Sequence, residues 1–133
     1  MISIVIVSHS AQIADGLKIL AEQISQGKIK IYTAGGVDDN TIGTNVERIH
    51  KALQDAKNPE GVLVLLDLGS AVMSTEMAVE MLSKEDQALV RMSDAPLVEG
   101  TIIAAVEASL GNSLDEVKES AEATATMSKL SKG

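Results

Sequence analysis

Two runs of aliphatic residues constrain this chain more than any other feature. Ile2-Ser3-Ile4-Val5-Ile6-Val7 opens it, and Val62-Leu63-Val64-Leu65-Leu66 stands near its middle. Neither alternates apolar with polar, as a strand with one wet face would. Each reads as a strand buried on both faces, and such strands belong to parallel sheets covered by helices on either side.

The intervening segments supply those helices. Ile13, Leu17, Leu20 and Ile24 recur at helical spacing and predict the apolar face of a first helix, with Gly27 just beyond its last turn. Residues 29–33 alternate like a second strand. Val46, Ile49, Leu53 and Ala56 line a second helix, for which Thr44 and Glu47 have the spacing of a capping box. Asn58-Pro59-Glu60-Gly61 stops that helix. A third helix follows Asp67-Leu68-Gly69-Ser70, and residues 89–92 form a short fourth strand. Pro96 suits the first turn of a fourth helix with Ile103, Val106 and Leu110 as its apolar face. Ser113 caps a fifth, supported by Leu114, Val117 and Ala121. The tail, residues 128–133, is small and basic and is expected to fray.

Strands alternating with helices imply right-handed crossovers. The predicted fold is α/β: a doubly wound parallel sheet of four main strands flanked by helices on both faces, forming a single domain over residues 1–133. A chain of 133 residues suits one domain. With one Tyr and neither Phe nor Trp, the core must be built from Ile, Val, Leu, Met and Ala.

Composition narrows the function classes. The net charge of −8 argues against nucleic acid, whose binding relies on Lys and Arg, and favours a basic protein partner. The absence of Cys removes disulfides and thiolate metal sites and agrees with a cytoplasmic location. No apolar run approaches the roughly 18 residues of a membrane helix, and the start lacks the basic region of a signal peptide.

In a doubly wound sheet the ligand site lies beyond the carboxyl ends of the strands, where the strand order reverses. Three segments should converge there: Ser8-His9-Ser10, Ala34-Gly35-Gly36 and Asp67-Leu68-Gly69-Ser70. An imidazole nitrogen is a good nucleophile near neutral pH. A carboxylate bonded to one ring nitrogen fixes the tautomer and leaves the other free to attack. His9 and Asp67 suit these roles, with Nδ1 facing the carboxylate and Nε2 free. Helix N-termini and Gly-rich turns present N–H groups to phosphate oxygens, which makes Ser10, Gly36, Gly69 and Ser70 the candidates for stabilising a phosphoryl group. Together these residues describe a phosphohistidine site with no metal and no cofactor of its own. His50 lies within a helix and reads as structural, and Asp38-Asp39 as a solvated loop. Met73, Met77 and Met81 repeat every fourth residue and read either as core filling or as a contact surface.

Five stretches carry a resemblance. They are Ile4-Val5-Ile6-Val7-Ser8-His9-Ser10, Ala34-Gly35-Gly36-Val37-Asp38-Asp39, Ile42-Gly43-Thr44, Leu65-Leu66-Asp67-Leu68-Gly69-Ser70-Ala71 and Ala95-Pro96-Leu97-Val98-Glu99-Gly100-Thr101. In this order and spacing they resemble the DhaM family, the phosphotransferase subunits of phosphoenolpyruvate-dependent dihydroxyacetone kinases, which are related to the IIA components of mannose-type sugar phosphotransferase systems. The resemblance implies that His9 is the phosphorylated residue and Asp67 its partner. It implies HPr as donor and ADP held on the DhaL subunit as acceptor, with the ATP so formed phosphorylating dihydroxyacetone on DhaK. It also implies a homodimer. Some members carry HPr-like and enzyme I-like domains, so a donor separate from this chain is expected. One alternative is a mannose-type IIA component with a sugar-specific domain as acceptor. The other is a non-catalytic nucleotide-binding module, against which stand the lack of a Gly-x-Gly-x-x-Gly turn after the first strand, of a Walker Lys, and of an acidic pair there to hold a metal.

Overall fold

The computed structural model describes residues 1–130. Its four strands are β1 (Ser3–Ser8), β2 (Ile31–Gly35), β3 (Val62–Leu66) and β4 (Val90–Ser93), in the order β2-β1-β3-β4. All neighbouring pairs are parallel. Every residue of the central pair, β1 and β3, is buried, as their unbroken aliphatic runs require. Each such side chain contributes roughly 1.5–3 kcal/mol on burial, so these two strands anchor the core.

The helices are α1 (Ala11–Ile24), α2 (Val46–Asp55), α3 (Gly69–Glu80), the single turn α4 (Lys84–Gln87), α5 (Leu97–Ser109) and α6 (Leu114–Ala123), followed by a 3-10 turn. Successive residues of a strand point to opposite faces. Ile4, Ile6, Leu63 and Leu65 accordingly meet α1, α5 and α6, while Val5, Val7, Val64 and Leu66 meet α2 and α3. The doubly wound architecture is as predicted. Among the described residues no helix is long and apolar enough to cross a membrane.

Several local expectations are corrected. The second strand is shifted two residues on from the expected 29–33, because its pairing with β1 begins at Ile31 opposite Ile4 and runs on to Gly35 opposite Ser8. The Thr44–Glu47 capping box does not form. Asn45 caps α2 instead, its Oδ1 accepting from the N–H groups of Glu47 and Arg48, and the Thr44 hydroxyl meets Ser74 Oγ at 2.8 Å. Pro96 stands just before α5 rather than in its first turn. α4, capped by Ser83, was not foreseen. The expected capping of α6 by Ser113 is present, completed into a capping box by Glu116. Residues 131–133 of the tail lie outside the described residues.

The predicted inner faces of α1 and α5 are also rotated. α1 buries Ala11, Ala14, Leu17 and Ala21 and leaves Ile13, Leu20 and Ile24 exposed. α5 buries Gly100, Thr101, Ala104, Ala105 and Ala108, while Leu110 faces solvent. Three helices crowd this face of a four-stranded sheet, so small residues take most of the inner positions of α1 and α5, with Leu17 the one large side chain among them. At Gly100 an added Cβ would lie 2.5 Å from the Ala95 Cβ.

Candidate functional site

The chain winds from β1 toward β2 on one side and from β3 toward β4 on the other, so the strand order reverses between β1 and β3. The carboxyl ends of these two strands carry Ser8-His9 and Asp67. Sheet register brings them together: Val7 is paired with Leu66, and the Asp67 N–H donates to the Val7 carbonyl at 3.2 Å.

Asp67 is the hub. Its Oδ1 lies 2.9 Å from His9 Nδ1 and accepts the Leu68 N–H at 2.6 Å. Its Oδ2 accepts the Ser8 hydroxyl at 2.8 Å and the His9 N–H at 2.9 Å. Partial burial pushes the carboxyl upward, but the donors from His9, Ser8 and Leu68 outweigh it and hold it below the usual carboxylate range. An ionised Asp67 can only accept, so Nδ1 carries a proton, and in the neutral ring Nε2 presents its lone pair.

Nδ1 faces the carboxylate as expected, and Nε2, turned away from it, meets Ser70 Oγ at 2.8 Å. With the lone pair on Nε2, the Ser70 hydroxyl is the donor. Ser70 stands in the first turn of α3, whose N-terminus has no side-chain cap. A helix's first N–H groups lack intrahelical acceptors and carry a partial positive charge, and the Ser70 contact sets this end of α3 beside Nε2.

The other two candidates serve the scaffold. Ser10 caps α1, its Oγ accepting the Ile13 N–H at 3.3 Å. Gly36, at φ +74°, donates its N–H to the Ser8 carbonyl at 3.0 Å and fits a turn too tight for a Cβ. Both backbone N–H groups are taken up within the fold, that of Gly36 by the Ser8 carbonyl and that of Ser10 by Ser8 Oγ, whereas Gly69 and Ser70 stand at the start of α3 beside the ring. His50 is half-buried in α2. Asp38 and Asp39 are exposed, and Asp39 pairs with Arg48.

Two contributors lay in the segments singled out by the sequence but were given no role there. Ser8, fully buried, bridges the Asp67 carboxylate to the Ser10 N–H at 3.1 Å. Gly43 donates its N–H to the His9 carbonyl at 2.9 Å. A hydroxyl beside the candidate His was a usable signal for Ser8, whereas a backbone contact through Gly43 has none.

Residues 3–118 match the EIIA-man family, described as the PTS system fructose IIA component. Over 120 residues the chain is 42% identical to the phosphoryl donor subunit DhaM of the PEP-dependent dihydroxyacetone kinase of Escherichia coli, covering 88% of this chain and 25% of that protein. The chain thus spans about a quarter of that relative's length. It is 37% identical to the phosphoryl donor subunit DhaM of PEP-dependent dihydroxyacetone kinase 2 of Listeria innocua, covering 88% of this chain and 94% of that one. Among solved structures, a protein of unknown function superposes with a TM-score of 0.83 at 33% identity over 92% of this chain and 95% of its own. The fold and the sequence lead to one assignment: this chain belongs to the EIIA-man family.

Proposed function

We propose that this protein is a phosphohistidine carrier that accepts a phosphoryl group on His9 Nε2 and passes it on to support phosphorylation of dihydroxyacetone. The observation that carries the reading is the His9–Asp67 pair at the strand switch point, with Nδ1 held by a carboxylate and Nε2 turned toward the uncapped start of α3.

In the transfer, the Nε2 lone pair attacks the donor's phosphorus as the donor's own nitrogen–phosphorus bond breaks. The Ser70 hydroxyl swings off Nε2 as phosphorus approaches and turns to a phosphoryl oxygen, alongside the N–H groups of the first turn of α3. Bond formation makes the ring cationic, and the Asp67 carboxylate stabilises that charge through Nδ1–H.

The donor is HPr and the acceptor is ADP held by the DhaL subunit, which in turn serves DhaK. This pairing rests on the similarity to the DhaM relatives, together with the acidic character of the chain, which suits a basic donor. The chain acts in the cytoplasm as a homodimer through the exposed Met73, Met77 and Met81 face of α3. Incubation with phosphoenolpyruvate, enzyme I and HPr should place acid-labile phosphate on the protein, and adding DhaL with ADP should discharge it. Discharge by a sugar-specific domain instead would reassign the acceptor, and failure to take up phosphate would reject the reading.

A further inference from the structure

The same three side chains form a second chemical device. Ser70 Oγ lies 2.8 Å from His9 Nε2, and His9 Nδ1 lies 2.9 Å from Asp67 Oδ1. This is a nucleophile–base–carboxylate relay in hydrogen-bonding register, recognised by geometry and not by chain order. We infer that Ser70 is an activated nucleophile, giving the unphosphorylated protein an acyl-transfer activity toward small activated esters.

Three further features support the assignment. Asp67 is fixed by Ser8 Oγ and two backbone N–H groups, so the carboxylate cannot turn away from the ring. Ser70 is exposed, so a substrate can reach it. It also follows a buried strand and a short turn into the first turn of a helix without a side-chain cap, and the start of a helix is where backbone N–H groups can stabilise a developing oxyanion.

The step balances without another reactant. Ser70 Oγ bonds to the ester carbonyl carbon as its proton passes to Nε2. The tetrahedral intermediate collapses, the carbon–oxygen bond to the alcohol breaks, and Nε2 returns the proton to the departing oxygen. Water then attacks the acyl-serine with Nε2 again taking the proton, and Nε2 returns it to Ser70 Oγ as the bond from Oγ to the acyl carbon breaks and the carboxylic acid leaves. Phosphorylation of His9 would occupy Nε2 and silence this chemistry. The two activities therefore belong to alternate states of one site, although the serine chemistry does not depend on the carrier reading.

The test uses the purified, unphosphorylated chain with p-nitrophenyl acetate and with a fluorophosphonate, which transfers its phosphonyl group to an activated serine with loss of fluoride. The expected result is a nitrophenol burst and a single adduct that peptide mass spectrometry places on Ser70. The adduct should vanish in Ser70→Ala and form about 10²-fold more slowly in His9→Ala, the lower end of what a general base contributes. A urea midpoint for each variant establishes that it is folded. The wild-type labelling rate should also follow a one-proton pH profile that His9→Ala removes, a readout that altered packing would not produce. No adduct on Ser70, or an equal rate and profile in folded His9→Ala, overturns the proposal. Phosphate uptake from HPr is measured separately, so failure of one activity does not mask the other.

Discussion

Replacing Asp67 by Asn tests the site most directly, because the structure sets the size of the effect. The carboxylate accepts from four donors: His9 Nδ1 and the Leu68 N–H on one oxygen, Ser8 Oγ and the His9 N–H on the other. An amide has only one accepting oxygen. With its oxygen toward the ring, its NH2 opposes the His9 N–H. Flipped, the NH2 opposes the Leu68 N–H and drives the ring into the other tautomer, removing the Nε2 lone pair. Either way at least one backbone N–H loses its acceptor, at about 1–3 kcal/mol. The melting temperature should fall by about 4 °C per kcal/mol for a domain of this size. Phosphorylation loses the charge that faces the cationic ring, but the amide oxygen can still hold Nδ1–H in one orientation. Transfer should therefore slow by about 10–10³-fold without stopping, each factor of ten being about 1.4 kcal/mol of barrier. Rapid-quench measurement with labelled phosphoenolpyruvate, enzyme I and HPr reads the rate, and a thermal melt reads stability. A transfer rate within about twofold of wild type would refute the orienting role of Asp67, because it would place the mutational barrier change below about 0.5 kcal/mol.

Other outcomes follow from the same geometry. His9→Ala should abolish phosphate uptake while leaving the urea midpoint nearly unchanged, since the ring is not part of either core cluster; continued uptake would move the assignment to His50. NMR of the phosphorylated ring should place the group on Nε2, and a signal for Nδ1 would contradict the Asp67 contact. Asp67 titrates below its ordinary value, so its stabilising contribution should be full above the unfolded carboxylate value near pH 4 and decline as pH falls through the lower folded value. The stability gap between wild type and Asp67→Asn, followed by urea denaturation, should therefore close toward acid; a gap that widens there has the wrong sign for this carboxylate. Sedimentation equilibrium at micromolar concentration should give a dimer, whereas a mass near 13.9 kDa would leave the Met73, Met77 and Met81 face without that role.

What the sequence made legible follows from which forces act alone. β1 and β3 could be read because an unbroken aliphatic run has only one soluble solution, burial on both faces. Their placement then made His9 and Asp67 readable as neighbours although 58 residues separate them, because a parallel sheet with right-handed crossovers sends both to the same rim. The inner faces of α1 and α5 were misread for the opposite reason. Large apolar residues define a face only where there is room for them, and Ala14, Ala21, Gly100 and Ala104 are inside because the helices are close. That closeness belongs to the whole layer and to no single helix. The same reasoning brought the methionines of α3 out to solvent, since Ala71, Thr75 and Ala78 take the inner positions.

At the site itself the division is finer. Which residue types meet was visible, but which of their groups remain uncommitted was not. Ser10, Gly36, Gly69 and Ser70 look alike as small residues in turns. Only the hydrogen bonds separate them: Ser10 and Gly36 are occupied in holding α1 and the β2 turn, whereas Ser70 rests on the very nitrogen that would attack phosphorus. A hydroxyl there cannot be a passive neighbour. It donates to the Nε2 lone pair in the resting state, and any reaction at Nε2 must first displace it or draw on its proton. The order of events at His9 therefore begins with Ser70, whichever electrophile arrives.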